Sequence, residues 1–290
     1  MSNLVRLAIV QFAPVDDEAA NIETASEFVR EAADGGANIV LLPELFCGRY
    51  FCTRQDDGEF ARAKEWRLHP AVLTLSELAA TLGVVLPISI FEKEGPEYFN
   101  SVVMIDLDGT PLGVYRKSHI PDGPGYQEKF YFRPGNTGFR VWDTKLGRIG
   151  VGICWDQWFP EAARAMALMG ADLLLYPTAI GSEPANPDLD TAPRWRRAMQ
   201  GHAVSNVIPV AAANRIGTEG DQTYYGSSFI ADQSGGMIEE MGREEAGIRL
   251  ATLDFEKAAR QRASWGFFRD RRTDLYNTLS DTPGRDRNSD

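Results

Sequence analysis

The chain of 290 residues is 43% hydrophobic and 24% charged, a balance that supports a sizeable buried core in one large domain or two small ones. Its net charge of −11 argues against nucleic acid or an anionic membrane as a partner, because both require a basic surface. A small cationic substrate is compatible with that balance.

The first apolar run, LVRLAIVQF (4–12), is too short for a signal peptide and lacks a small-residue cleavage site, so it reads as a strand of a cytoplasmic protein. NIETASEFVREAADGG (21–36) carries apolar residues at helical spacing and closes on glycines, and ANIVLLPE (37–44) then reads as a buried strand. HPAVLTLSELAATLG (69–83) predicts the next helix and VVLPISIFE (84–92) the next strand. FNSVVMIDLDGTPLGVYRK (99–117) predicts a hairpin turning at Asp108-Gly109.

GVGICWDQWFPEAARAMALMG (150–170) runs a strand into Cys154 and then a helix, with Pro160 in the first turn, Glu161 at the positive dipole end and Gly170 suited to a left-handed cap. The third glycine of a dinucleotide fingerprint is missing there. The basic RDRR (269–272) reads as a salt-bridged segment. About 277–290 lacks apolar periodicity and is expected to be a disordered tail on a single domain spanning 1–290.

The second half repeats the first. GANIVLLPE (36–44) matches GADLLLYPT (170–178), GVVLPIS (83–89) resembles NVIPVAA (206–212), and YFNSVVMIDLDG (98–109) aligns with YYGSSFIADQSG (224–235) without a gap. Two such α/β halves pack most simply sheet against sheet with helices outside, which predicts a four-layer αββα sandwich of two pseudo-symmetric halves.

Three cysteines, Cys47, Cys52 and Cys154, are too few and odd in number for a disulfide framework. Cys47 and Cys52 with His69 lack a second close-spaced ligand pair, so no metal site is expected. Cys154 stands where a strand gives way to a loop, a common place for a site, yet a thiol is mostly protonated at neutral pH and needs a base or cation beside it. Glu44 and Lys117 end strands of their own, and Asp122 and Glu128 follow in a Gly/Pro-rich loop. Taken singly, each reads as a solvated end-of-strand charge. Together they have complementary chemistry.

LLPELF, YRKSHIP and GICWDQWFPE resemble the three motifs of the nitrilase superfamily of carbon–nitrogen hydrolases. That resemblance implies a Glu44, Lys117 and Cys154 triad on the αββα fold, with Glu128 as an additional active-site glutamate and no cofactor or metal. LPELFCGRYFC, RKSHIPDGPGYQEKFYFRPG, YPTAIGSEP and SWGFFRDRRTDLY are similar to the branch acting on N-carbamoylputrescine. The expected partner is a small cationic N-carbamoyl amine, held by Glu183 as anchor, with Asp122, Tyr50 and Trp155 shaping the tunnel. A β-ureidopropionase-like enzyme would instead require a cation for its substrate's carboxylate. The same fold would also accommodate a hydrolase of another ω-amide, or a catalytically silent binding protein. The family also implies a homodimer or a higher homo-oligomer.

Overall fold

The computed structural model describes residues 4–280. Strand β1 (Leu4–Gln11) leads to α1 (Glu18–Asp34), β2 (Ile39–Leu41), α2 (Pro70–Leu82), β3 (Leu86–Glu94) and the hairpin β4 (Glu97–Ile105) and β5 (Pro111–Arg116). A single turn, α3 (Glu128–Tyr131), precedes β6 (Val141–Thr144) and β7 (Gly147–Val151). The succession then recurs as α4 (Pro160–Leu168), β8 (Leu173–Thr178), α5 (Ala192–Asn206) and β9 (Val210–Asn214). A small hairpin, β10 (Ile216–Glu219) and β11 (Gln222–Tyr225), stands before β12 (Phe229–Ala231) and β13 (Met237–Glu240), followed by β14 (Gly247–Asp254) and α6 (Phe255–Trp265).

Local chemistry sets these boundaries. The Asp17 carboxylate accepts from the Ala20 N–H at 3.1 Å, so α1 starts three residues before its apolar periodicity becomes visible. Pro70 and Pro160 occupy first turns, where their missing N–H breaks no helical bond. The Asp108-Gly109 turn forms as expected, with Gly109 at φ 81°. A side chain on Gly109 would also meet the Ser76 carbonyl at 2.6 Å.

The duplication read from the sequence is reproduced strand for strand. β1 pairs antiparallel with β14 and parallel with β2, a bridge between Ile39 and Val85 joins β2 to β3, and β4 and β5 follow antiparallel. The second sheet runs β6-β7-β8-β9-β12-β13 with the same directions. Even the registers correspond. Leu7 lies opposite Ile39 as Ile149 lies opposite Leu173, and Val103 opposite Val114 as Phe229 lies opposite Glu240.

Alternation along the strands builds three apolar layers. Leu7, Ile39 and Leu41 of one sheet meet Ile149, Leu173 and Leu175 of the other. Ala8, Val40 and Leu42 point the opposite way, onto Val29 and Leu75 of the first helix pair. Leu174 and Ala212 likewise meet Met166, Trp195 and Met199 of the second pair. Each fully buried Leu, Ile or Val contributes about 1.5–3 kcal/mol, and the result is the four-layer αββα sandwich. Gly152, part of the glycine-rich stretch before Cys154, lies where a Cβ would sit 2.7 Å from the Tyr176 ring, so it serves close packing.

The RDRR segment is salt-bridged as expected, Arg269 to Asp270 at 2.8 Å and Arg272 to Asp274 at 2.6 Å. Of the expected tail, Asn277–Leu279 forms a 3-10 turn, and 281–290 lie outside the described residues. Among the described residues, no helix is long and apolar enough to cross a membrane.

Candidate active site

Glu44 lies three residues past β2, Lys117 directly follows β5, Cys154 lies three past β7, and Glu128 opens α3. The Glu44 N–H donates to the Thr178 carbonyl at 3.4 Å, so the exits of β2 and β8 meet where the two halves adjoin. Leu45 has φ 47° and Cys154 has φ 41°, both in the left-handed region that non-glycine residues avoid. Each such turn costs about 1–3 kcal/mol and persists only where the surroundings hold it.

One ammonium lies between two carboxylates. The Lys117 Nζ donates to Glu44 Oε1 at 2.9 Å and to the Glu128 oxygens at 2.7 and 2.8 Å. All three side chains are fully buried. Asn100 Nδ2 adds a donor to Glu44 Oε1 at 2.6 Å, and the Tyr50 hydroxyl donates to Glu128. Burial opposes the charge on Lys117, but Glu128 and Glu44 more than offset it and hold the ammonium well above its usual range. Burial pushes the Glu128 carboxyl up to about 7, with Lys117 pulling it down and Glu44 adding to the rise.

The other Glu44 oxygen, Oε2, is buried without a hydrogen-bond partner among the described residues. An unsatisfied carboxylate lone pair is costly in a protein interior, and here it leaves a carboxylate oxygen of the cluster open to take a proton. Burial raises the Cys154 thiol well above its usual range, the Glu44 charge adds to this and the Lys117 charge opposes it. The thiol therefore rests protonated, donating to the Ala179 carbonyl at 3.7 Å.

Cys154 lines a cavity of about 150 Å³, together with Trp155, Trp158, Tyr126, Asp122 and Glu183. Trp155 stands 40% exposed at its mouth. Asp122 is exposed at the rim and Glu183 is half-buried, its carboxyl raised by burial against the opposing charge of Arg194. Among the described residues, no Lys, Arg or His lines this cavity. A more open groove of about 810 Å³ shares Trp155 with it and contains none of Glu44, Lys117, Glu128 and Cys154.

Tyr50, expected to shape the tunnel, sits elsewhere. It is 1% exposed and absent from the cavity lining, because its hydroxyl is turned to Glu128 and its ring packs edge-on against Tyr126 and Tyr224. Cys47 and His69 do approach each other, with Glu18 as a third potential ligand. This cluster fits a metal poorly. Lys64 Nζ occupies both Glu18 oxygens at 2.9 and 3.1 Å, and His69 Nδ1 accepts from the Ala71 N–H, which leaves the proton on Nε2.

Sequence reasoning missed two supports. Asn100 is a fully buried polar residue of β4, next to its apolar stretch, and could have been noticed. Asp156 is fully buried and accepts from the Ile153 and His119 N–H groups at 2.9 and 3.0 Å, from His119 Nδ1 at 2.7 Å and from the Tyr115 hydroxyl at 2.7 Å. It thereby fastens the Cys154 turn to the segment bearing Lys117.

A doubled sandwich with a thiol, a carboxylate and an ammonium at its strand exits has the form of a cysteine-dependent hydrolase. The family model for carbon–nitrogen hydrolases matches residues 6–263, and the chain belongs to that family. It is 54% identical over 286 residues to an N-carbamoylputrescine amidase of Solanum tuberosum, covering 96% of this chain and 95% of that protein. It is 52% identical over 279 residues to a citrullinase of Francisella tularensis subsp. tularensis, covering 95% and 98%. Among solved structures, a carbon–nitrogen hydrolase from Helicobacter pylori G27 superposes with a TM-score of 0.90 at 37% identity, covering 96% of this chain and 99% of that one.

Proposed function

We propose that this carbon–nitrogen hydrolase converts N-carbamoylputrescine to putrescine, carbon dioxide and ammonia, with Cys154 as nucleophile and Glu44 as general base. Glu44 Oε2 takes the thiol proton and the sulfur attacks the ureido carbon. Negative charge moves to the former carbonyl oxygen, where the Lys117 ammonium and the Trp155 N–H receive it. One such preorganised donor is worth about 3 kcal/mol, a hundredfold or more in rate. Glu44 returns the proton to one nitrogen, which departs and leaves an acyl group on sulfur. Water activated by Glu44 then frees the thiol, and the carbamic acid formed loses carbon dioxide. Glu128 keeps Lys117 charged.

The observation that carries the substrate is the cavity wall: Glu183 and Asp122 face it and no basic side chain among the described residues does. An ammonium at the far end of a carbamoylated diamine suits that wall. Citrulline carries the same ureido group but adds a carboxylate, which calls for a cation. Arg194, whose charge reaches Glu183, is not part of the lining. The test is ammonia release from N-carbamoylputrescine, citrulline and N-carbamoyl-β-alanine. The first should exceed the others in kcat/KM by about a hundredfold, equivalent to about 2.7 kcal/mol. A preference for either carboxylate-bearing substrate would overturn the assignment.

We further propose that the chain self-associates through the ends of α4, α5 and α6, where Arg262 ties α6 to the Ala171 and Val207 carbonyls. Leu168, Met169, Val204 and Trp265 are exposed there, a concentration of apolar surface that a second copy would cover.

A further inference from the structure

Arg215 directly follows β9, belongs to none of the three motifs, and has its whole side chain buried. A buried guanidinium is expensive unless it is hydrogen-bonded, and although Nε has no partner among the described residues, both terminal nitrogens are engaged. The loop that carries Glu44 takes one of them. Nη2 donates to the carbonyls of Glu44, Leu45 and Gly48 at 3.2, 3.0 and 3.1 Å. Nη1 donates to Glu219 Oε1 at 2.9 Å. The guanidinium carbon lies 5.4 and 5.9 Å from the Tyr224 and Tyr50 ring centroids, within cation–π range.

These bonds continue to the other carboxylate. Glu219 Oε2 accepts from the Tyr50 N–H at 2.6 Å, and the Tyr50 hydroxyl donates to Glu128. One cation from the second half of the duplication thus ties down the backbone around Glu44 and, through Glu219 and Tyr50, the side chain of Glu128. The loop itself needs such a tie. Three carbonyl dipoles converge where the chain turns through left-handed Leu45, and they repel one another without a positive charge between them.

We propose that Arg215 is a positioning residue for the reaction: its guanidinium fixes the Leu45 turn and so sets where the free Glu44 oxygen and the Glu128 carboxylate stand around Lys117. Lysine cannot replace it, because a single ammonium lacks the fork that reaches three carbonyls and a carboxylate at once. The inference rests on Glu44 acting as the base.

The experiment compares Arg215→Lys, Arg215→Ala and Glu219→Gln in the full chain, measuring kcat and KM for ammonia release, with folding checked by circular dichroism. Misplacement of a reacting group by about 1 Å is enough for a hundredfold loss, so Arg215→Lys is expected to lower kcat about a hundredfold with KM within about twofold of wild type. Millimolar guanidinium should raise the kcat of Arg215→Ala about tenfold or more, a rescue that a purely structural role would not give. Glu219→Gln leaves the carbonyl bonds intact and is expected to lower kcat about tenfold, and it decides the matter alone if the Arg215 variants do not fold. A kcat within about twofold of wild type in the folded variants, with only the melting temperature reduced, would overturn the proposal. Glu44→Gln separates the two claims. If it stays active, the assignment of the base is wrong. If it is inactive while Arg215→Lys is fully active, only the role of Arg215 is wrong.

Discussion

The two halves share strand order, direction and register, yet they do different things at corresponding strand exits. Extending the paired registers outward places Phe12 where the second half has Cys154, Thr178 where the first has Glu44, and Arg243 where it has Lys117. Phe12 packs on Phe28 and Phe46, with ring centroids 5.7 and 6.5 Å apart. Arg243 is a half-exposed cation paired with Asp190 at 2.6 Å. Lys117 is the same kind of charge enclosed by two carboxylates with no solvent. The scaffold therefore supplies positions, and burial with the right neighbours turns one set of them into an enclosed cluster of opposite charges.

Paired substitutions break this comparison most directly. Cys154→Ala should abolish ammonia release, a loss of about 10⁴-fold or more in kcat, with little change in melting temperature. Phe12→Ala should do the reverse, lowering urea stability by about 3–5 kcal/mol while the folded fraction keeps its kcat. Equal losses of activity in the two variants would mean that the halves are not functionally distinct.

Lys117→Met should lower kcat about a thousandfold and leave Glu44 and Glu128 buried without a counter-charge, costing about 3–5 kcal/mol of stability. Arg243→Met, at the corresponding exit, should change stability by less than about 1 kcal/mol and leave kcat unaltered. Urea titration and initial rates on the two variants give both numbers.

The smallest effect is a pH dependence. Glu128 has a carboxyl raised from 4.5 to about 7 in the fold, so between those values the folded chain keeps a proton that the unfolded chain has lost. Its contribution to stability is complete below pH 4.5 and is lost as pH rises to about 7, by up to about 3 kcal/mol. Melting curves of wild type and Glu128→Gln should show the variant gaining on wild type across that window. A gap independent of pH would show that Glu128 is not held against burial.

The features legible in the sequence are those written in local pattern. GANIVLLPE and GADLLLYPT mark β2 and β8 because both strands are buried on two faces and their apolar runs coincide. Glu44 and Cys154 stand out because each follows a buried apolar run, and Lys117 because it directly follows β5. α5 has low apolar contrast and no side-chain N-cap, so Pro193 in its first turn is its one local start signal. Tyr50, Asp156 and Arg215 find hydrogen-bond partners 78, 37 and as many as 171 residues away, contacts that no local window contains. Tyr50 falls outside the cavity for that reason: its neighbourhood in sequence is the Glu44 loop, but its hydroxyl donates to Glu128 of α3.

Sulfur, carboxylate and ammonium are expected to act as one unit at the junction of the halves. Acid-quenched mass spectrometry during turnover of N-carbamoylputrescine tests it. An acyl adduct confined to the peptide bearing Cys154 is the expected result. Undiminished ammonia release by Cys154→Ala, with no adduct on the wild-type protein, would contradict it.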